Sequence, residues 1–343
     1  MREFHRIGIL DTAPLIIRAS TLSHVINPAW EIGHLLKGVR TYWLLSLSWS
    51  LMDEGRLEYL IGCYAEYKDK FPEHELIFLC NELIESAILN KFGIPAFFAP
   101  HNALIDYGLY HPAPEAEKKY DALINSRLDE FKRHILAKRI DRLAIITYFA
   151  HKTPLQVSLG YLNYLKRNMP QADFLNFSKD GSFAWLSKQE IAKISSQCHV
   201  GLIMSSLEGG CMAACEYLLS GLPVVSTKNQ GGRDLFLPPE YSITVEPNFK
   251  EVRDATEELK SRDLNPYDVR AACIKLIDKY RDNYLTAWQS IYDLENIKKN
   301  AKDEWSKQFR HLLAENIYMP EIVKLFETIK SKKASSSAIL TKD

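Results

Sequence analysis

Two glutamates, Glu208 and Glu216, stand eight positions apart in the part of the sequence best suited to chemistry. Five of the fifteen glycines lie between 209 and 232, so the backbone there can approach a ligand closely. A predicted strand ends before Gly209 and a helix begins after Gly210, and N–H groups at a helix start attract anions. Two helical turns separate the carboxylates, so both can lean toward one crevice. The pattern predicts an anion-binding site at the carboxyl edge of a sheet.

Arg127 and Lys132 are two further candidates, five positions apart after an apolar run. Taken alone, they are typical of a solvated helix entrance. Cys211 and Cys215 are spaced as i and i+4 but are expected to pack on a helix face. The six cysteines show no CxxC spacing and mostly lie in apolar segments, so we expect neither disulfides nor a zinc site.

The elements that must position these residues alternate from residue 120 onward. Apolar runs predict strands at 120–125, 142–149, 172–177, 199–205, 223–226 and 242–245, and helical spacing predicts helices at 131–140, 155–168, 188–196, 211–220 and 250–261. Such alternation is typical of a parallel, doubly wound sheet.

The first 110 residues give weaker signals, with strand candidates at 7–10, 42–47, 76–80 and 96–99. The segment 100–114 carries three prolines and a glycine and is interpreted as a linker. Beyond residue 270 the chain is amphipathic and helical, ending in a frayed tail. We expect one domain at 1–112, a second at 113–285, and C-terminal helices with the tail at 286–343.

The bulk composition excludes several classes of protein. A chain of 343 residues can form two α/β domains, and its 43 basic and 43 acidic residues create no global field toward nucleic acid or an anionic membrane. The longest apolar runs are far shorter than the roughly 18 to 20 residues of a bilayer span. With no signal-peptide pattern at the N-terminus, we expect a cytoplasmic protein without a transmembrane span, with contact at the inner membrane face as an alternative.

The region 205–234 resembles the retaining GT-B glycosyltransferases of the family-4 kind, also called glycosyl transferases group 1. That family carries two glutamates separated by seven residues, then Gly-(Leu/Ile/Val)-Pro-Val-Val and a Gly-Gly turn. Here these are Glu208, Glu216, 221–225 and Gly231-Gly232.

Two further motifs are similar to the same family. Its first C-terminal strand ends in Arg-Leu with a lysine five residues after the arginine, as in Arg127-Leu128 and Lys132. The segment 102–112 resembles the family's Asn-x-x-Asp-x-x-x-Phe-x-Pro, with one extra residue. The matches cover roughly 100 to 260 in the family's order.

The resemblance implies an α/β fold of the GT-B type, with two Rossmann-like doubly wound domains facing a cleft and the N-terminal one reduced. The domain at 1–112 would be the acceptor-side domain, and the domain at 113–285 would bind the nucleotide sugar. It implies a metal-independent, hexosyltransferase-type enzyme that uses a UDP- or GDP-linked sugar as donor substrate and needs no cofactor. The acceptor would be a glycan or lipid-linked hydroxyl in polysaccharide, lipopolysaccharide or other glycoconjugate biosynthesis.

The resemblance also implies roles for individual residues. Arg127 and Lys132 would neutralise the donor diphosphate as its charge grows, and Glu208 would hold hydroxyls of the donor sugar. Glu216 would accept hydrogen bonds from the ribose. The other implied donor-binding positions are Gly209, Gly210, Thr227, Gly231 and Gly232. A donor phosphate oxygen would serve as base, so no protein nucleophile and no metal are needed.

The sequence departs from the family at three places. Leu235 stands where a glutamate is common, the N-terminal half is short, and the Gly-Gly loop that follows the family's first strand is absent. His24 and His101 are candidates for an N-terminal group beside the donor sugar, although a lone histidine is more often structural.

Other functions therefore stay open. The main alternative is a degenerate GT-B-like subunit that binds nucleotide sugar without transferase activity. An epimerase or a phosphorylase would keep the fold. A dinucleotide-dependent oxidoreductase is disfavoured because no GxGxxG follows an early strand.

Overall fold

The computed structural model describes residues 4–21, 25–53, 55–149, 153–178, 182–312 and 315–340. Two compact units are present: one joins the residues up to Leu104 with those from Tyr280 onward, and the other is Ile105–Lys279. Within the described residues, no helix has both the length and the apolar character needed to cross a bilayer.

The described residues form twelve strands and ten α-helices. The strands are β1 (Phe4–Thr12), β2 (Leu15–Thr21), β3 (Thr41–Leu47), β4 (His74–Cys80), β5 (Ala96–Phe98), β6 (Tyr120–Arg127), β7 (Leu143–Tyr148), β8 (Ala172–Phe174), β9 (Cys198–Ile203), β10 (Val224–Thr227), β11 (Ser242–Val245) and β12 (Glu315–Tyr318). The helices are α1 (Ala29–Ile32), α2 (Arg56–Lys70), α3 (Leu83–Lys91), α4 (Leu155–Asn168), α5 (Lys188–Ser196), α6 (Met212–Leu219), α7 (Phe249–Ser261), α8 (Pro266–Leu294), α9 (Ala301–Leu312) and α10 (Met319–Leu340).

The first unit is built on a six-stranded sheet in the order β12-β1-β2-β3-β4-β5. Strands β2 to β5 run parallel, whereas β1 is antiparallel to both of its neighbours. Alternate residues of β3 enter different cores: Trp43 packs with residues of α2 and α10, and Tyr42 with residues of α8 and α9. Both sheet faces are therefore buried, which explains the continuous apolar runs that predicted strands at 42–47 and 76–80.

Strand β2 was not predicted from the sequence. It follows β1 after only Ala13 and Pro14, and nearly all of its residues are buried, so it shows no polar alternation. Arg18, 6% exposed, also interrupts the apolar run.

The C-terminal helices belong to the first unit, in contrast to the separate segment expected at 286–343. Ile322, Phe326 and Ile329 lie on one stripe of α10 and are buried in the same core as Trp43. Trp305 of α9 packs in the second core of that unit. Residues of α10 cannot cover this apolar stripe themselves. The helix therefore buries the stripe by packing against the N-terminal sheet.

The second unit carries a six-stranded, all-parallel sheet in the order β11-β10-β9-β6-β7-β8. This confirms the doubly wound sheet expected from residue 120 onward. The predicted helices at 155–168 and 188–196 have those bounds as α4 and α5. Ser187 caps α5: its hydroxyl accepts a hydrogen bond from the Glu190 N–H at 3.2 Å. The Glu190 carboxylate in turn accepts a hydrogen bond from the Ser187 N–H at 2.7 Å, which completes a capping box.

The helix predicted at 131–140 is wrong. Two short 3-10 segments, Glu130–Lys132 and His134–Ala137, replace it, with Arg133 between them at φ 53°. A left-handed residue cannot continue an α-helix. His134 is buried and hydrogen-bonded to the Ser126 hydroxyl at 2.9 Å, which anchors the turn beneath β6.

Asp121, at the start of β6, is expected to stabilise the second unit in a pH-dependent way. Its carboxylate lies 2.7 Å from Arg142 and 2.8 Å from Lys260 and is almost fully buried. Burial by itself would raise the pKa of Asp121, but the two cations outweigh burial and lower the pKa to about 2. Because the folded pKa lies below the unfolded one, the stabilisation is present above about pH 4 and is lost as the pH falls toward 2.

Asp121→Asn should therefore lower the free energy of unfolding by about 2 kcal/mol at pH 7 and by much less near pH 2. Urea unfolding at both pH values measures this difference. Glu117→Gln, which changes an exposed carboxylate of the same unit, is the control. An equal loss at both pH values for Asp121→Asn would contradict the linkage.

Candidate functional site

The predicted site residues gather at the carboxyl edge of the second unit's sheet. Strands β10, β9 and β6 are neighbours in that order and run parallel. Arg127 ends β6, Glu208 follows β9, and Thr227 ends β10. Because parallel strands end at the same edge, the sheet brings together residues up to 100 positions apart in sequence.

Glu208 and Lys132 form a partly buried ion pair at this edge. The Ser205 hydroxyl donates a second hydrogen bond, 2.6 Å long, to the same carboxylate oxygen of Glu208. Glu208 is 6% exposed. A buried carboxylate needs such partners, since removing a charge from water costs several kcal/mol.

Arg127 pairs with the carboxylate of Asp129. Both Arg127 and Lys132 also lie over the ring of Phe131, with their cationic centres 5.4 Å and 5.1 Å from its centroid. The N–H of Ser206 donates to the Phe131 carbonyl at 3.1 Å, which ties this turn to the loop after β9. The two expected phosphate-binding cations therefore contact the same ring, and each is paired with a carboxylate.

Glu216 lies in α6 and is held by two side chains from other elements. The Tyr110 hydroxyl donates to Oε1 at 2.9 Å, and the Asn125 amide donates to Oε2 at 3.1 Å. Burial raises the pKa of Glu216, and these two hydrogen bonds oppose that rise. A carboxylate has about four acceptor positions, so Glu216 keeps capacity for a ligand.

Sequence reasoning missed Tyr110 and Asn125 as partners of Glu216. Asn125 was placed only as a strand residue beside the Arg127 motif. Tyr110 lies within 102–112, the segment that resembles the family's linker motif, so a signal for it was present in the sequence.

Helix α6 packs against the sheet through Tyr217. Tyr217 is fully buried, and its ring packs directly on Gly201. A Cβ at Gly201 would lie only 2.3 Å from the nearest atom of that ring, so only glycine fits there. The Asn125 N–H donates to the Tyr217 hydroxyl at 2.5 Å. This contact sets α6, and with it Glu216, against β9 and β6.

Arg233 organises the loops around Glu208. Its guanidinium is fully buried and donates to the carbonyls of Ser205 at 3.2 Å and Thr227 at 2.6 Å. The Thr227 hydroxyl donates to the Met204 carbonyl at 2.9 Å, so this donor is used within the loop. Arg233 thus ties the ends of β9 and β10 together.

The remaining candidates fall into three groups. Gly209 is buried, and it and Gly210 separate Glu208 from α6. Cys211 and Cys215 are buried, as expected for packing residues, and burial raises the pKa of the Cys211 thiol to about 12.

In the first unit, His101 is hydrogen-bonded to the Leu47 carbonyl at 3.1 Å, and His24 lies outside the described residues. Over the ranges that the structure describes, no three His, Cys, Asp or Glu side chains form a metal-binding group.

Gly231 is the N-cap of the 3-10 segment Gly232–Phe236, which follows β10 after a short loop. Gly231 has φ 112°, and a Cβ there would lie 1.8 Å from the Glu208 carbonyl oxygen. Gly231→Ala is expected to lower the free energy of unfolding by about 2–4 kcal/mol, because alanine is strained at this φ and the backbone must move. Urea unfolding provides the measurement.

Gly160→Ala is the matched control for this substitution. Gly160 lies in α4 of the same unit, and open space surrounds the position that a Cβ would take. Alanine should therefore raise the free energy of unfolding by about 0.5–1 kcal/mol, because it favours the helix more than glycine does. Equal effects of the two substitutions would show that Gly231 is not required for the close approach to Glu208.

Comparisons with known proteins support the fold. No protein-family model and no curated protein matches the sequence. Among solved structures, the chain is similar to Anabaena HepE in complex with UDP, with 14% identity, 75% of this chain and 73% of that chain covered, and a TM-score of 0.54. It is also similar to sucrose-phosphate synthase from Thermosynechococcus elongatus, with 13% identity, 78% and 70% coverage, and a TM-score of 0.52.

A second HepE structure, in complex with UDP-glucose, has 15% identity, 75% and 72% coverage and a TM-score of 0.52. At such identities the likeness concerns the fold. The chain has an α/β fold with two units built mainly on parallel strands, and it matches GT-B glycosyltransferase structures.

Proposed function

We propose that this protein is a glycosyltransferase that moves a sugar from a nucleotide-sugar donor to a hydroxyl acceptor. The observation that carries the proposal is the meeting of Glu208, Glu216, Arg127 and Lys132 at one edge of the second unit's sheet. The matching HepE structures contain UDP and UDP-glucose, which supports a nucleotide-sugar donor here.

We assign the nucleoside end of the donor to Glu216. Tyr110 and Asn125 orient its two oxygens and leave acceptor positions for the ribose hydroxyls. The backbone at Gly209 and Gly210 would lie along the sugar and phosphate. A preoriented carboxylate loses little freedom on binding, which favours affinity.

The diphosphate would bind Arg127 and Lys132 by an exchange of partners. In the structure these cations neutralise Asp129 and Glu208. A diphosphate would draw Lys132 away from Glu208, and Glu208 would then accept hydrogen bonds from the sugar hydroxyls. The Ser205 hydroxyl keeps Glu208 in place during this exchange.

The reaction would proceed with retention and without a metal. The acceptor oxygen bonds to the anomeric carbon on the face that the nucleotide leaves, the bond from that carbon to the phosphate oxygen breaks, and the acceptor proton passes to a donor phosphate oxygen. Arg127 and Lys132 would stabilise the charge that grows on the diphosphate. The anomeric configuration of the product, determined by NMR, tests retention, and unchanged activity in EDTA tests metal independence.

The resemblance alone supports the wider setting of the proposal. We place the acceptor among glycans and lipid-linked hydroxyls of polysaccharide, lipopolysaccharide or other glycoconjugate biosynthesis. The reaction would then take place in the cytoplasm or at the inner face of the membrane.

A thermal-shift panel of UDP, GDP, CMP, ADP and NAD tests the donor site. A ligand at 100 times its Kd should add about 2.7 kcal/mol of stability. Stabilisation by one nucleoside diphosphate, followed by release of that nucleotide from its sugar derivative in the presence of acceptor glycans, would support the proposal. Binding without turnover would favour the degenerate subunit, and stabilisation by NAD alone would overturn the proposal.

A further inference from the structure

A cavity of about 450 Å³ lies within the second unit at the amino ends of β6, β9 and β10. Lys118 precedes β6, His199 lies at the start of β9, and Ser220 and Gly221 precede β10. Arg127 and Glu208 lie at the opposite ends of the same strands. The cavity is therefore distinct from the candidate donor site.

Three cations and one carboxylate, Asp263, line this cavity, and one of the cations differs from the other two. Lys260 is paired with Asp121 at 2.8 Å, and Arg262 is paired with Glu258. Lys118 donates to the Cys198 carbonyl at 2.8 Å and has no carboxylate partner among the described residues. Its ammonium group carries three donors, so two remain for a ligand.

The position of Lys118 is not explained by helix ends. Helices α5, α6 and α7 end near this edge, and their carbonyl ends attract cations. That attraction accounts for Lys260 and Arg262 at the end of α7. Lys118 lies on no helix, and its ammonium group donates to the carbonyl of a strand residue, Cys198.

The Ser220 hydroxyl is a second, independent sign of a ligand. It lines the cavity, is 3% exposed, and has no hydrogen-bond partner among the described residues. The two other lining serines donate to carbonyls of their own helices, Ser196 to Lys193 and Ser261 to Glu258. A buried hydroxyl without a hydrogen-bond partner is unfavourable, and a ligand oxygen would satisfy it.

His199 completes the polar lining. Burial lowers the pKa of its imidazole, and Lys118, Lys260 and Arg142 lower it further, while Asp121 acts in the opposite direction. An anion bound beside Lys118 would favour the protonated imidazole and raise this pKa.

We propose that this cavity binds the phosphoryl group of a small anion, inorganic phosphate or a sugar phosphate, through Lys118, Ser220 and His199. Lys118 supplies charge and two donors, Ser220 a hydroxyl, and His199 a ring nitrogen. Strand β9 runs from this cavity to the loop that carries Glu208, and α6 carries Glu216 and ends at Leu219, directly before Ser220. The bound anion therefore lies at the far ends of both elements that position the donor-site carboxylates.

NMR of the His199 imidazole tests the proposal, because this signal reports on the cavity alone. Inorganic phosphate, and separately glucose 6-phosphate, is added at constant ionic strength over a range of pH. We expect saturable shifts and a raised His199 pKa, and tighter binding of one probe would identify the source of the phosphoryl group.

Variants separate this site from the donor site. Lys118→Gln should weaken the phosphate effect about tenfold or more, and Ser220→Ala should weaken it less. Lys193→Gln, an exposed change in α5, and Lys132→Ala, at the donor edge, should leave it unchanged. Circular dichroism confirms folding.

Shifts that are absent, or that are identical in Lys118→Gln and the parent protein, would overturn the proposal. Since His199 is read directly, this result would hold whether or not the protein binds UDP.

Discussion

Lys132→Ala is expected to lower turnover by about 10²–10³-fold while changing donor affinity much less. In the proposed reaction the charge on the leaving diphosphate grows as the glycosidic bond breaks, so a cation there stabilises the transition state more than the bound donor. Steady-state kinetics with the donor sugar gives kcat and KM separately, and calorimetry gives the Kd of the nucleotide.

The ion pair with Glu208 complicates this variant and calls for two controls. Removal of Lys132 leaves the buried Glu208 carboxylate with the Ser205 hydroxyl as its hydrogen-bond donor among the described residues. Melting of the unliganded variant therefore shows any loss of stability. Lys250→Ala, an exposed change in α7, should leave kcat and KM unaltered. If Lys132→Ala weakened nucleotide binding as much as it slowed turnover, its transition-state role would be refuted.

Glu216→Ala should weaken binding of the nucleoside diphosphate by about 10- to 100-fold, since hydrogen bonds to a charged group contribute about 1.5–3 kcal/mol. The effect should appear in Kd and KM, with kcat little changed at saturating donor. Glu216→Gln keeps the shape of the side chain and should fall between alanine and the parent protein.

The environment of Glu216 supplies the matched controls. Tyr110→Phe removes one of its two donors and leaves the carboxylate in place, so it should weaken binding less than Glu216→Ala. Glu117→Ala removes an exposed carboxylate of the same unit and should have no effect. An unchanged nucleotide Kd in Glu216→Ala would show that Glu216 does not bind the ribose.

The second unit was the more predictable half because its elements carry local signals. The capping box at Ser187 fixes the start of α5, and the Gly-x-Pro-Val-Val run precedes and enters β10. The prediction of a helix at 131–140 was wrong. The apolar residues there have helical spacing, but Arg133 adopts a left-handed backbone conformation that interrupts a helix. That choice depends on anchoring His134 beneath β6, a contact that no local pattern reveals.

The first unit was less predictable for a related reason. Its strands are buried on both faces, so apolar runs identify strands but neither their order nor their direction. Strand β1 lies between β2 and β12, whose sequences are separated by about 300 residues. The amphipathic pattern predicted the apolar stripe on α10. It did not indicate that the N-terminal sheet would cover this stripe.

The sequence by itself determined the residue types of the candidate site, their order and the class of ligand that they suit. Carboxylates, cations and glycines in that spacing limit the chemistry because charge and backbone freedom belong to the residues themselves. Only the tertiary structure decided which of them meet: Lys132 with Glu208, Tyr110 and Asn125 with Glu216, and Arg233 with the carbonyls behind them. Such contacts join distant segments, and they follow from strand order and burial.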